Sequence, residues 1–191
     1  QKRNNKLAVL TLFTQNYQNQ PYLREIAKTA QIPLKTTQTT LLLLEQQNVL
    51  KSITKGKHKY FTLNKDNSKT KFWLLQAEIY KTIQFLDHHP EFQLFTKALP
   101  VNNPIIIFGS YAKGTATKTS DVDLLLLTQK QTTLPTHLLP HTLHQVTLTE
   151  QSFKTAVKNQ EALMKEIEEN HIILNNHSFF VNTWWENYAK Q

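Results

Sequence analysis

"GSYAKGTATKTSDVD", Gly109 to Asp123, decides how this chain is read. The strand formers "PIIIF" lead into it and "LLLL" follows it, so it joins two buried strands. Side chains two apart on a strand share one side, which puts Asp121 and Asp123 together and turns Val122 into the core. Two crowded carboxylates repel unless a cation or a proton lies between them. Oxygen ligands with room for water suit Mg²⁺ bridged to substrate phosphates. Across from them, Gly109 lets the backbone come close to an anion, and Ser110 offers an amide and a hydroxyl where a helix begins. Lys113, one turn later, reaches phosphate oxygens. An anion cradle and a cation holder in one turn is what a magnesium-bound nucleoside triphosphate needs.

The chain around this turn has 191 residues, which favours a two-part architecture over one small domain. Its apolar fraction of 39%, with ten Phe and three Trp, supplies real cores and argues against disorder. The formal net charge of +8 predicts a surface that attracts polyanions. There is no cysteine, so disulfides and thiolate metal sites are excluded and a reducing compartment is the default. No apolar stretch approaches the ~18 to 20 residues of a membrane span. The start "QKRNNKLAVLTLFTQN" carries no signal-peptide pattern. A soluble, cytoplasmic protein with no membrane partner is the expectation.

From Lys6 to Asn64 the pattern reads helix, helix, turn, helix, then two short strands. Leu7, Leu10 and Leu12–Phe13 share one helical face, and "PYLREIAKTA" buries Leu23, Ile26, Ala27 and Ala30 behind an N-terminal proline. "LKTTQTTLLLLEQQNVL" closes a small core through Leu41, Leu44 and Val49–Leu50. "LKSITKGKHKYFTLN" alternates Ile53, Tyr60 and Leu63 around Lys55-Gly56-Lys57, a hairpin with a cationic tip. This order resembles the winged helix-turn-helix family over roughly the first third of the chain. The second helix then spans Tyr22 to Ala30, the recognition helix Lys35 to Gln47 and the wing Lys51 to Leu63. The family's usual glycine before the wing is here Asn48, which tolerates a left-handed turn. DNA is the expected partner: Lys35, Thr36, Gln38 and Thr39 at the start of the third helix face bases or phosphates. Lys55, Lys57, His58 and Lys59 on the wing neutralise phosphates.

"FWLLQAEIYKTIQFLDHH" reads as one long connecting helix with Phe72, Leu75, Ile79, Ile83 and Leu86 along a face that suits a core or a twin copy. A short helix from Glu91 to Leu99 then leads to the strand at Pro104 to Phe108.

"FGSYAKGTATKTSDVDLLLL" resembles the nucleotidyltransferase fold shared with DNA polymerase β, and within it the minimal nucleotidyltransferases, whose signature is Gly-Ser, a ten-residue gap, and Asp-x-Asp. Gly109, Ser110, Asp121 and Asp123 match that spacing, and Gly114 and Ser120 match secondary positions. Lys113 stands where the family commonly has arginine. The resemblance implies attack of a hydroxyl on the α-phosphate of a nucleoside triphosphate, with Asp121 and Asp123 as catalytic residues holding Mg²⁺. It also implies that Gly109, Ser110, Lys113 and Ser120 bind the nucleotide, ATP being the expected donor. Such enzymes usually bring a third carboxylate from a neighbouring strand. The strand expected here, "HQVTLT" from His144 to Thr149, has none; Gln145 and Thr147 are read at its place, and Glu150 is read as the start of the next helix.

His137, His141 and His144 form HxxxHxxH, but Pro140 breaks the helix that would align them, and no zinc site is read there. One of these histidines acting as a base is the alternative. The tail reads as helix, edge strand and closing helix, with "EIEEN" a solvated acidic face.

These readings combine into a mixed α+β chain: a winged helix over 1–66, a helical connector over 67–90 and a nucleotidyltransferase domain over 91–191. The expected function is magnesium-dependent transfer of a nucleoside monophosphate, AMP from ATP, to a protein, RNA or small-molecule acceptor. Minimal relatives act as antitoxins that adenylylate a toxin, so a toxin partner is one candidate, and a homodimer is another expected assembly. The alternative is a DNA-binding regulator whose degenerate domain senses nucleotide without turnover.

Overall fold

A computed structural model of the chain describes residues 3–100 and 102–189, so the outermost domain limits, 1 and 191, lie outside the described residues. The chain divides into two compact units, residues 1–80 with 184–191, and residues 81–183.

In the first unit, α1 (Asn5–Thr14), α2 (Leu23–Thr29) and α3 (Leu34–Gln46) precede an antiparallel hairpin of β1 (Leu50–Lys55) and β2 (His58–Leu63). α1 is buried nearly all round, through Ala8, Val9, Leu10, Leu12 and Phe13. It meets Ile26, Leu41, Leu44 and Val49 in a small core whose members are almost wholly shielded from solvent. Threonine is a poor helix former because its branched side chain crowds the preceding turn. In α3 the hydroxyls answer this by bonding carbonyls one turn back: Thr37 donates to Pro33 (3.1 Å), Thr39 to Lys35 (3.1 Å) and Thr40 to Thr36 (2.8 Å). Asn48 takes the left-handed conformation (φ 56°) and turns the chain from α3 into β1. Gly56 (φ 60°) does the same at the hairpin tip. The last turns of the closing helix belong to this unit too, where Tyr17 packs on Tyr188 at 5.7 Å and on Trp185 at 6.4 Å.

α4 (Ser68–His88) runs across the division between the units. It buries Leu74, Ala77 and Phe85 and leaves Phe72, Ile79 and Ile83 exposed, so the apolar face expected along it is only partly core.

The second unit holds a four-stranded mixed sheet in the order β5 (Leu143–Leu148), β4 (Val122–Leu127), β3 (Ile105–Phe108), β6 (Ile172–Asn175). β4 runs antiparallel to β3 and parallel to β5, and β6 closes the other edge antiparallel to β3. The uninterrupted runs "IIIF" and "LLLL" arise because the two central strands are buried on both faces. On one face Ile105, Ile107, Val122, Leu124 and Leu126 pack with Phe92, Phe95 and Tyr111. The short helices α5 (Phe92–Lys97) and α6 (Gly109–Lys113) flank β3, and α7 (Glu150–Lys158), α8 (Ala162–Glu169) and the first turns of α9 (His177–Ala189), up to residue 183, complete the unit. Among the described residues, no helix is long and apolar enough to cross a membrane.

Candidate functional site

The ends of β3 and β4 bring the site together. Antiparallel register sets Phe108 opposite Asp123, and Gly109 follows at once with φ 66°. A Cβ placed on Gly109 would lie 2.1 Å from Oδ2 of Asp123. Glycine is therefore needed here twice over, for the left-handed backbone and for the close approach of main chain to carboxylate. Ser110 follows on α6, and its hydroxyl has no hydrogen-bond partner among the described residues; its carbonyl accepts from the Thr115 amide at 3.0 Å. Gly114, in the left-handed conformation, ends α6.

Asp121 and Asp123 do converge. Both face the imidazole of His144, with Nε2 3.6 Å from Asp121 Oδ2 and Nδ1 3.7 Å from Asp123 Oδ1. The parallel register pairs Asp123 with His144 across β4 and β5, which fixes this arrangement. The place where a third carboxylate was sought is corrected by the same register. Gln145 pairs with Leu124 and Thr147 with Leu126, so by strand alternation both lie on the face opposite Asp123. Gln145 instead donates to Thr147 Oγ1 at 3.0 Å. Glu150 opens α7 after the Thr149 cap, as its position in the sequence suggests.

The remaining nucleotide-binding candidates have partners of their own. Lys113 reaches Glu166 of α8 at 2.7 Å, a carboxylate that the sequence had placed on a solvated face. That hydrogen bond and charge, with a smaller share from Asp123, hold the Lys113 pKa above the ordinary lysine value. Ser120 braces its own loop, its Oγ accepting from the Thr117 amide at 2.8 Å. The three histidines part company: His141 meets the Tyr111 hydroxyl at 3.1 Å, His144 stands at the aspartates, and His137 lies on a single 3-10 turn. Burial, then the nearby Glu91 charge, push the Tyr111 hydroxyl above its usual pKa.

Two carboxylates facing one space, beside a backbone with no Cβ, suit one hard divalent cation completed by phosphate and water oxygens. An imidazole in the third place is not a ligand that magnesium favours. Among the described residues, no group of three or more His, Asp or Glu is arranged to hold a metal ion by itself. The side chains present thus fit one Mg²⁺ shared with a substrate, and not a second ion held by protein alone.

Residues 95–179 match the family model for the polymerase beta nucleotidyltransferase domain. The match spans β3, the Gly109–Asp123 turn, β4, β5 and β6, so the matched segment contains every side chain of this site. No curated protein and no solved structure matches the chain.

In the first unit the residues expected to meet DNA are presented to solvent. Lys35, Gln38 and Thr39 on α3 are exposed and Thr36 half-buried, while Lys55, Lys57, His58 and Lys59 are exposed on the hairpin. Not all are free. Lys59 pairs with Glu45 at 2.8 Å, and Lys55 reaches Gln20 at 3.3 Å. Lys35 and Lys57 have no ion-pair partner among the described residues.

Proposed function

We propose that the nucleotidyltransferase segment transfers a nucleoside monophosphate, AMP from magnesium-bound ATP, to a hydroxyl on a protein, RNA or small molecule. The approach of Gly109 to Asp123 carries this reading, because it sets a main chain without a Cβ directly against a cation-holding carboxylate, so that phosphate and cation can meet at one point. Asp121 and Asp123 hold the magnesium ion, which when bound neutralises phosphate charge and polarises the phosphoryl oxygens. Ser110 donates its free hydroxyl to a phosphate oxygen. Lys113 adds positive charge beside Asp123. The acceptor oxygen bonds to the α-phosphorus, the bond to the bridging oxygen breaks, and pyrophosphate leaves with its electron pair. The acceptor's proton passes to the His144 imidazole, which stands 3.7 Å from Asp123 where related sites have an acid. Positioning and electrostatics supply most of such a rate, so few side chains suffice.

The first unit, in this proposal, is a winged helix that grips DNA through the start of α3 and the β1–β2 hairpin. A toxin-like protein acceptor and a homodimer remain the expected assemblies. A second reading has one observation in its favour: with an imidazole opposite Asp123, the site binds nucleotide and reports it to DNA without transfer.

ATP labelled at the α-phosphate separates the two. The chain with Mg²⁺ is incubated with candidate acceptors and with itself, alongside Asp121→Ala/Asp123→Ala. Stable label on an acceptor, lost in the double variant, supports transfer. Retention of ATP without label on any acceptor supports the sensor.

A further inference from the structure

The first unit contains a cleft of about 420 Å³ between α2, α3 and the hairpin, within the range of small-ligand sites. Leu23, Leu41, Leu42 and Phe61 make its apolar floor. Leu42 is 48% exposed there, although α3 turns Leu41 and Leu44 inward. The rim is cationic: Arg24 and Lys57 lean on it, neither with an ion-pair partner among the described residues. Among the described residues, no carboxylate lines it. At one side Tyr22 and His58 hold their rings 5.0 Å apart, a tilted aromatic wall against which a planar ring can lie.

An apolar floor under a cationic rim selects a ligand with an apolar body and an anionic end. Arg24 offers a planar fork of donors that matches a carboxylate. Among the described residues, the lining has one carboxamide, Gln38, and no acidic acceptor, too few groups to read a base edge together with a ribose. We propose that this cleft is a binding site for a small planar aromatic carboxylate. Gln38, Lys57, His58 and Lys59 belong both to its lining and to the surface assigned to DNA, so occupancy and DNA binding exclude one another. That last clause rests on the DNA reading and is measured separately.

The test titrates the full chain with 1-naphthoate, without DNA, by calorimetry. Saturable binding at a single site is expected, about tenfold weaker for Leu42→Glu and for Arg24→Ala at unchanged circular dichroism. The uncharged analogue 1-naphthalenemethanol is expected to bind at least about tenfold more weakly than the carboxylate. Absence of saturable binding overturns the proposal, as does equal binding by the alcohol or by both variants. Displacement of naphthoate by AMP at lower concentration than by benzoate also overturns it, in favour of a nucleotide. A gel shift relieved by naphthoate supports the exclusion, and a shift indifferent to it refutes the exclusion. A chain that shifts no DNA at all sinks the DNA reading while leaving the calorimetry decisive for the cleft.

Discussion

Gly109 and Gly114 both adopt positive φ, 66° and 69°, yet only Gly109 is crowded; nothing lies within 4 Å of a Cβ built on Gly114. The two alanine variants should therefore part. Gly114→Ala loses on the order of 1 kcal/mol from backbone strain and keeps nucleotide affinity. Gly109→Ala adds a methyl group against Asp123, loses roughly 2–3 kcal/mol and abolishes magnesium-dependent nucleotide binding. Denaturant melts and nucleotide titrations on both proteins check this, and equal behaviour would show that the close approach does not matter. His144→Asp restores a carboxylate opposite Asp123. It should raise label transfer from ATP by tenfold or more, since one general acid–base group typically contributes about 10²–10⁴-fold. A fall in transfer would show that the imidazole takes the acceptor's proton better than a carboxylate in its place. The meeting of Gly109, Asp121 and Asp123 was legible in the sequence because they lie within fifteen consecutive residues. His144 was legible only as one of three histidines that could serve as a base; which of them meets the aspartates depends on the register of β5 against β4, set by an intervening connection that has no local pattern to count from. Glu166 was hidden for a related reason: only the fold brings α8 beside α6.

At the scale of elements, the buried strands read true since a sheet covered on both faces needs runs such as "IIIF" and "LLLL". The hairpin read true as well, because Gly56 supplies the left-handed residue that a two-residue turn demands. α4 was harder. Its three- and four-residue apolar spacing is that of a core helix, but Phe72, Ile79 and Ile83 face solvent, and periodicity cannot say what covers a face. The charges of the hairpin yield a graded prediction. Lys57 is unpaired among the described residues, whereas Lys59 already answers Glu45, and such exposed pairs contribute only about 0–1 kcal/mol. On the DNA reading, Lys57→Gln should lower the slope of log affinity against log salt by about 0.9. Lys59→Gln should lower it less. Gel shifts over a salt series test this, and an unchanged slope in Lys57→Gln would remove the hairpin from the DNA surface.

For the molecule as a whole, stability should depend on pH through two groups beside the site. Tyr111 has its pKa raised by burial and Lys113 has its own raised by Glu166. A raised pKa means that the folded chain keeps a proton where the unfolded chain has lost it. The stability from both groups is therefore complete below about pH 10, the ordinary range for these side chains, and is lost as pH climbs through their folded values. Thermal melts from neutral to strongly alkaline pH should show that decline, flatter in Tyr111→Phe; an identical decline would exclude Tyr111 as a source. The central claim concerns what Asp121 and Asp123 hold. Calorimetric titration of the chain with a non-hydrolysable ATP analogue, with and without Mg²⁺, tests it most directly. The account predicts one nucleotide bound per chain with magnesium, and none in its absence or in Asp121→Asn/Asp123→Asn. Binding that ignored both the metal and the substitutions would contradict it.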